Sequence, residues 1–162
     1  MTETKPRNNA STVTLPSDRE ILMERVFDAP RELVFRAYTE PAHIPKWWGH
    51  RDSTTIVDKM DVKPGGLWRF IERAADGNEY AFNGEFKEIV PPERLAYTFE
   101  FEGMPGHVLL ETVTFEEQDG KTKVQVLSLF DSVADRDGML QSGMETGANE
   151  SYDRLAELLA NA

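Results

Sequence analysis

Residues 67–101 read LWRFIERAADGNEYAFNGEFKEIVPPERLAYTFEF, and large rings recur in them at every second position. Trp68 and Phe70, then Tyr80, Phe82 and Phe86, then Leu95, Tyr97, Phe99 and Phe101 each share one parity. Arg69, Asn83, Glu85, Lys87, Thr98 and Glu100 occupy the other. Side chains alternate across a strand, so this pattern predicts an antiparallel sheet with one aromatic face and one wet face. Asp76-Gly77-Asn78 and Val90-Pro91-Pro92-Glu93 separate the runs, and further turn signals stand at Lys63-Pro64-Gly65-Gly66, Gly103-Met104-Pro105-Gly106 and Asp119-Gly120. Together they mark six strands after Arg51. Alternation of Ile21, Met23 and Arg25 with Leu22, Glu24 and Val26 adds a short strand before them, for six to seven in all.

Upstream of the strand run the period is helical. Pro30 suits the start of a first short helix whose apolar face holds Leu33, Val34 and Ala37. A second is expected from about Pro41, with Thr39 as its cap, ending at Trp47-Trp48-Gly49. Downstream, Leu140, Met144, Gly147, Ser151, Leu155 and Leu158 step by three or four, which predicts one long amphipathic helix from roughly Val133 to Leu159. The expected α+β architecture is a curved antiparallel sheet whose aromatic face is closed by that helix. Residues 1–19, with almost nothing to bury, are expected to form a disordered tail, and 20–162 one domain.

Composition narrows the chemistry. In 162 residues, 18 Lys and Arg stand against 29 Asp and Glu, and a net charge of -11 disfavours nucleic acid and anionic membranes as partners. There is no cysteine, which removes disulfides, thiolate nucleophiles and cysteine-held metals. With no apolar run of membrane-spanning length and no signal-like start, a cytoplasmic protein is expected. His43, His50 and His107 have no metal-ligand spacing, and Ser142 lies in no nucleophile elbow. No cofactor or metal is expected, and with so many carboxylates no acid–base pair stands out in the sequence.

Five segments in order, FDAPRELVFRAYTEPAHIPKWWG (27–49), VKPGGLWRF (62–70), GEFKEIVPPERLAYTFEF (84–101), TVTFEEQDGKTKVQV (112–126) and GMETGANESYDRLAELL (143–159), carry a resemblance. The chain resembles the SRPBCC, or START-like helix-grip, superfamily, in the branch of homologues of the activator of the heat-shock protein 90 ATPase. The resemblance runs from about Glu20 to Leu159. It implies a sheet wrapped around the final helix and an apolar cavity used for hydrophobic small molecules or lipids.

The residues offer their own argument for a cavity, a mismatch in side-chain size. The sheet face presents Trp68, Phe70, Phe82, Tyr97 and Phe99, while the helix meant to cover it presents Gly143, Gly147, Ala148 and Ser151. Interior helical glycines cost about 1 kcal/mol each relative to alanine, so something should offset them. Either the helix backbone sits directly on the rings, or a guest occupies the gap. Candidate ligand-binding residues are therefore Trp48, Trp68, Phe70, Phe82, Tyr97 and Phe99 from the ringed side, Met144, Gly147, Ser151 and Tyr152 from the helix, and Glu111 as a polar anchor. Glu72 and Glu111 share parity with apolar neighbours; if turned inward they should show a raised pKa or find partners such as Arg69 or His107.

The leading expectation is non-catalytic binding of a hydrophobic or lipid-like molecule. An enzyme of cyclase, aromatase or hydrolase type, using a pocket carboxylate or tyrosine, is the first alternative. A stress-linked co-chaperone module is the second. Exposed sheet edges and Trp-rich loops are compatible with a homodimer.

Overall fold

The computed structural model describes residues 11–161. Eight strands form one antiparallel sheet: β1 (Thr12–Thr14), β2 (Glu20–Phe27), β3 (Thr54–Met60), β4 (Leu67–Arg73), β5 (Glu79–Val90), β6 (Arg94–Phe101), β7 (Val108–Gln118) and β8 (Lys121–Leu129). Their order is β1-β2-β8-β7-β6-β5-β4-β3, so β3 to β8 run as the predicted meander and β2 closes against its last strand. The helices are α1 (Arg31–Thr39), α2 (Ile44–Trp47), α3 (Val133–Gln141) and α4 (Met144–Ala160). This is the expected α+β helix-grip arrangement.

Three expectations are corrected. The eighth strand, β1, lies within the stretch expected as a tail; it pairs Thr12 to Thr14 with Glu24 to Leu22. Three residues with one apolar side chain are too short to show a period. Residues 1–10 of the expected tail lie outside the described residues.

The single long helix is two. Gly143 has φ +84, the left-handed region that glycine enters without steric penalty, and the chain turns there between α3 and α4. Leu140 therefore belongs to α3, and α4 buries Leu155 and Leu159 where the sequence suggested Leu158. Finally, Thr39 does not cap α2. It is the last residue of α1, and its hydroxyl donates to the Phe35 carbonyl at 2.8 Å.

The sheet's two faces follow the sequence parity. Outside, Arg69 donates to Glu102 and Asp58, Arg94 to Glu88, and Lys87 pairs with Glu85. Inside, Trp68, Phe70, Phe86, Leu95, Val113 and Phe115 are buried with Val34, Phe35, Tyr38 and Trp47 of the short helices. Gly84 sits opposite Trp68 on the neighbouring strand. A Cβ at Gly84 would overlap the Thr98 carbonyl oxygen and crowd Trp68 Nε1 at 2.5 Å, so glycine there admits the indole, whose N–H donates to Thr98 O at 3.2 Å.

Helix α4 is anchored at its C-terminal half. Leu155 and Leu159 are buried, and Tyr152, Ala156 and Leu158 pack against the same core. Its N-terminal half carries the small residues Gly147, Ala148 and Ser151, with Met144 and Ala148 packed toward the cluster of Ile21, Met23, Leu109 and Phe130. Burial of one half and small size of the other leave a gap over the sheet, where the site lies.

Candidate functional site

A pocket of about 300 Å³, open to solvent on one side, lies between the aromatic face of the sheet and the first half of α4. Trp48, Phe82, Tyr97, Phe99 and Glu111 line it from one side, and Met144, Gly147, Ser151 and Tyr152 from the helix. Trp68 and Phe70 are not on its wall. They border a smaller pocket of about 60 Å³, which shares Trp48, Tyr97, Phe99 and Glu111 with the larger one. A groove of about 480 Å³ adjoins the main cavity, sharing Phe82, Phe99, Phe130 and Met139 with it, between the turn at Met104 and His107 and the Gly138 face of α3.

The rings of the pocket wall pack on one another, while Tyr152 of α4 packs edge-on against Phe27 at 6.1 Å. Trp48 meets Phe70 at 5.2 Å and Phe82 at 5.3 Å edge-on, and Phe82 stacks on Phe99 at 5.6 Å. Such contacts fix ring orientation and contribute about 0.5–1.5 kcal/mol each beyond area burial. A Cβ built on Gly147 would have only His50 atoms within 4 Å. Close packing of the helix backbone on the sheet's rings therefore does not explain that glycine.

One polar cluster interrupts the apolar walls. Tyr97 donates to Glu111 Oε1 and Ser128 to Glu111 Oε2, each at 3.0 Å. Strand register produces this: Glu111 sits opposite Tyr97 on β6 and Ser128 on β8. Burial pushes the Glu111 carboxyl above the ordinary range, and the two hydroxyls pull it part of the way back. The Tyr97, Tyr152 and Tyr38 hydroxyls are all pushed upward, first by burial and then by neighbouring charge that includes Glu111. The Tyr38 hydroxyl is buried beside the Tyr152 hydroxyl without closing a well-formed hydrogen bond.

The partners suggested from sequence for the two glutamates are not the ones found. Arg69 is taken by Glu102 and Asp58, and His107 by Asp135 at 2.9 Å. Glu72, buried on β4, instead accepts from the His50 backbone N–H at 2.7 Å and the Ser53 hydroxyl at 2.8 Å. It thereby holds the turn after Trp48 against the sheet.

The same turn is fastened to α4. Ser151 accepts from Gly49 N–H at 2.9 Å and its hydroxyl returns a bond to Gly49 O at 3.1 Å, while Arg154 donates to the Gly49 and His50 carbonyls. His50 Nδ1 contacts Glu150 at 3.2 Å, and this bond raises the imidazole pKa despite partial burial. Ser151 thus lines the cavity and also ties α4 to the turn at the cavity's rim.

Sequence reasoning missed Tyr38, Ser128, Val126, Met23, Phe130 and Met139 on the wall. For Ser128 the signal was present: a polar residue on the parity of Val124 and Val126, all buried in β8. Among the described residues no cluster of side chains is suited to hold a metal ion, and no helix is long and apolar enough to cross a membrane.

Comparison with known proteins gives a consistent result. Residues 28–160 match the family model of activator of Hsp90 ATPase homolog 1-like proteins. A solved protein from Rhodobacter sphaeroides is similar at 24% identity over 94% of this chain and 99% of its own, with a TM-score of 0.89. Protein CV1439 from Chromobacterium violaceum is similar at 27% identity over 88% and 98%, TM-score 0.78. DynU16, a protein of the dynemicin biosynthetic locus, shares the fold at 22% identity over 89% of this chain and 48% of its own, TM-score 0.67. No curated protein matches the chain.

Proposed function

Since the chain belongs to the activator of Hsp90 ATPase homolog 1-like family, we propose that it binds a hydrophobic, ring-containing or lipid-like small molecule between the sheet and α4. Members of this family commonly bind hydrophobic ligands. The observation that carries the reading is that no ring of the sheet lies within 4 Å of a Cβ at Gly147, beside a pocket of about 300 Å³ walled by rings on one side and small residues on the other. That volume is at the lower end of ligand pockets, ~300–1,000 Å³. The pocket is open on one side, so a hydrophobic guest would displace water from its apolar walls and gain by burying its own apolar surface against them. Native mass spectrometry of protein purified from its own host tests the reading: an adduct of small-molecule mass, lost on denaturation, is expected. Bare chain alone, together with silence in an NMR screen against lipids and polycyclic phenols, would overturn it.

Glu111 favours a second reading. A carboxyl raised by burial and hydrogen-bonded beside a cavity is suited to general acid–base chemistry on a bound guest, as in a cyclase, aromatase or hydrolase. Recovery of the guest unchanged after incubation supports binding alone; conversion that Glu111→Gln abolishes supports catalysis.

A further inference from the structure

The polar cluster places a requirement on the guest, granted the binding reading above. Glu111 accepts one hydrogen bond at each oxygen, and each oxygen retains acceptor capacity toward the cavity it lines. Tyr38, on the same wall, has a buried hydroxyl that closes no well-formed hydrogen bond, its polar neighbour being the Tyr152 hydroxyl. A buried polar group without a partner is a penalty in the empty protein and an attachment point in the occupied one.

The charges around the cavity have one predominant sign. Glu111 and Glu72 line it, and among the described residues no lysine or arginine does. The only basic lining group, His50, has Glu150 on its Nδ1 and accompanies Glu72 through its backbone N–H. Arg25 reaches the neighbourhood of Tyr152 from β2 but is off the cavity wall and paired with Asp153 at 2.9 Å. An anionic head would enter beside a carboxyl with no cation to receive it.

Three common head groups can be compared on this wall. A carboxylate only accepts, so it can satisfy Tyr38 but faces Glu111 as a like charge. An ammonium only donates, so it suits Glu111 but leaves the Tyr38 O–H without an acceptor. A hydroxyl does both at once, donating to Glu111 and accepting from Tyr38. The pocket of about 300 Å³ is itself at the small end of ligand sites, and a longer guest would extend into the adjoining groove of about 480 Å³.

We propose that the site selects an uncharged aromatic bearing one hydroxyl, held between Glu111 and Tyr38, over anionic amphiphiles such as fatty acids.

The test is a titration of the full chain, followed by NMR, with four probes on one skeleton: 2-naphthol, 2-naphthoate, 2-naphthylmethylamine and naphthalene. The expected result is that 2-naphthol binds at least tenfold more tightly than each of the other three. Tyr38→Phe should weaken 2-naphthol about three- to tenfold while leaving naphthalene unchanged. Glu111→Gln should narrow the gap between 2-naphthol and 2-naphthoate. If naphthalene, the amine or 2-naphthoate binds as tightly as 2-naphthol, the cavity reading stands and the hydroxyl requirement falls. An order of affinities that neither variant alters also overturns the requirement. If none of the four moves the ring signals, both readings fail together.

Discussion

A Cβ on Gly147 would lie 3.3 Å from His50 Cε1, with no ring of the sheet within 4 Å of it. The His50 side chain is half-exposed and can shift by the few tenths of an ångström needed. Gly147→Ala should therefore gain most of the helical preference of alanine, up to about 1 kcal/mol. Gly143→Ala should do the opposite and cost about 1 kcal/mol, because its φ of +84 is left-handed. Thermal unfolding of the two variants checks the opposite signs.

Glu111 predicts a stability difference that depends on pH. Its folded pKa is raised, so between the unfolded and the folded pKa the native state holds a proton that the unfolded chain releases, and above the folded pKa Glu111 is charged. Stability then falls as pH rises from the unfolded carboxyl pKa of ~4.3 through the folded one. Glu111→Gln removes this penalty. The variant should be more stable than the parent at pH 7, and the difference should shrink as pH is lowered toward 4, as read by urea unfolding at a series of pH values.

Ser151→Ala leaves the part-buried Gly49 N–H without its acceptor. The expected cost is about 1 kcal/mol, the lower end for an unsatisfied donor. The Gly49 amide should also exchange with solvent faster than in the parent, a change that hydrogen-exchange NMR localises to the turn over the cavity.

His50 should titrate above the ordinary histidine value of ~6.5, through its bond to Glu150. Glu150→Gln should bring the NMR midpoint back down. Because the folded pKa is raised, the stabilisation from this contact is full below about 6.5 and lost as pH rises through the folded value. The turn over the cavity is thus held more firmly at mildly acidic pH.

Much of this site was legible because strand parity is strict. Tyr97, Phe99 and Glu111 could be placed on one face by counting, and Phe82 likewise, since no irregularity separates it from Trp68 and Phe70. Trp68 and Phe70 have the right parity but stop at the smaller pocket, because parity gives the face and not the distance along it. The register shift between Phe86 and Glu88 lies just beyond these positions and left them undisturbed. The break at Gly143 was hidden because the apolar steps across it still fit one helix, although the backbone turns. Glu111's partners come from adjacent strands, Tyr97 on β6 and Ser128 on β8, and those pairings follow from a register that local pattern does not set. Tyr38 was passed over because the face of α1 was read through Leu33, whereas the buried positions are Val34, Phe35, Ala37 and Tyr38.

The cavity between α4 and the rings is tested most directly by filling it. Ala148 lines it from the helix, so Ala148→Phe should place a ring in the space a guest would take, with little loss of stability. In a fully packed core the same enlargement would cost about 1–3 kcal/mol. NMR titration of parent and variant with 2-naphthol gives the answer. The expected result is saturable movement of the Phe82, Phe99 and Met144 signals in the parent and none in a variant that unfolds at the same temperature. Equal binding by both proteins, or a variant destabilised as a packed core would be, would contradict it.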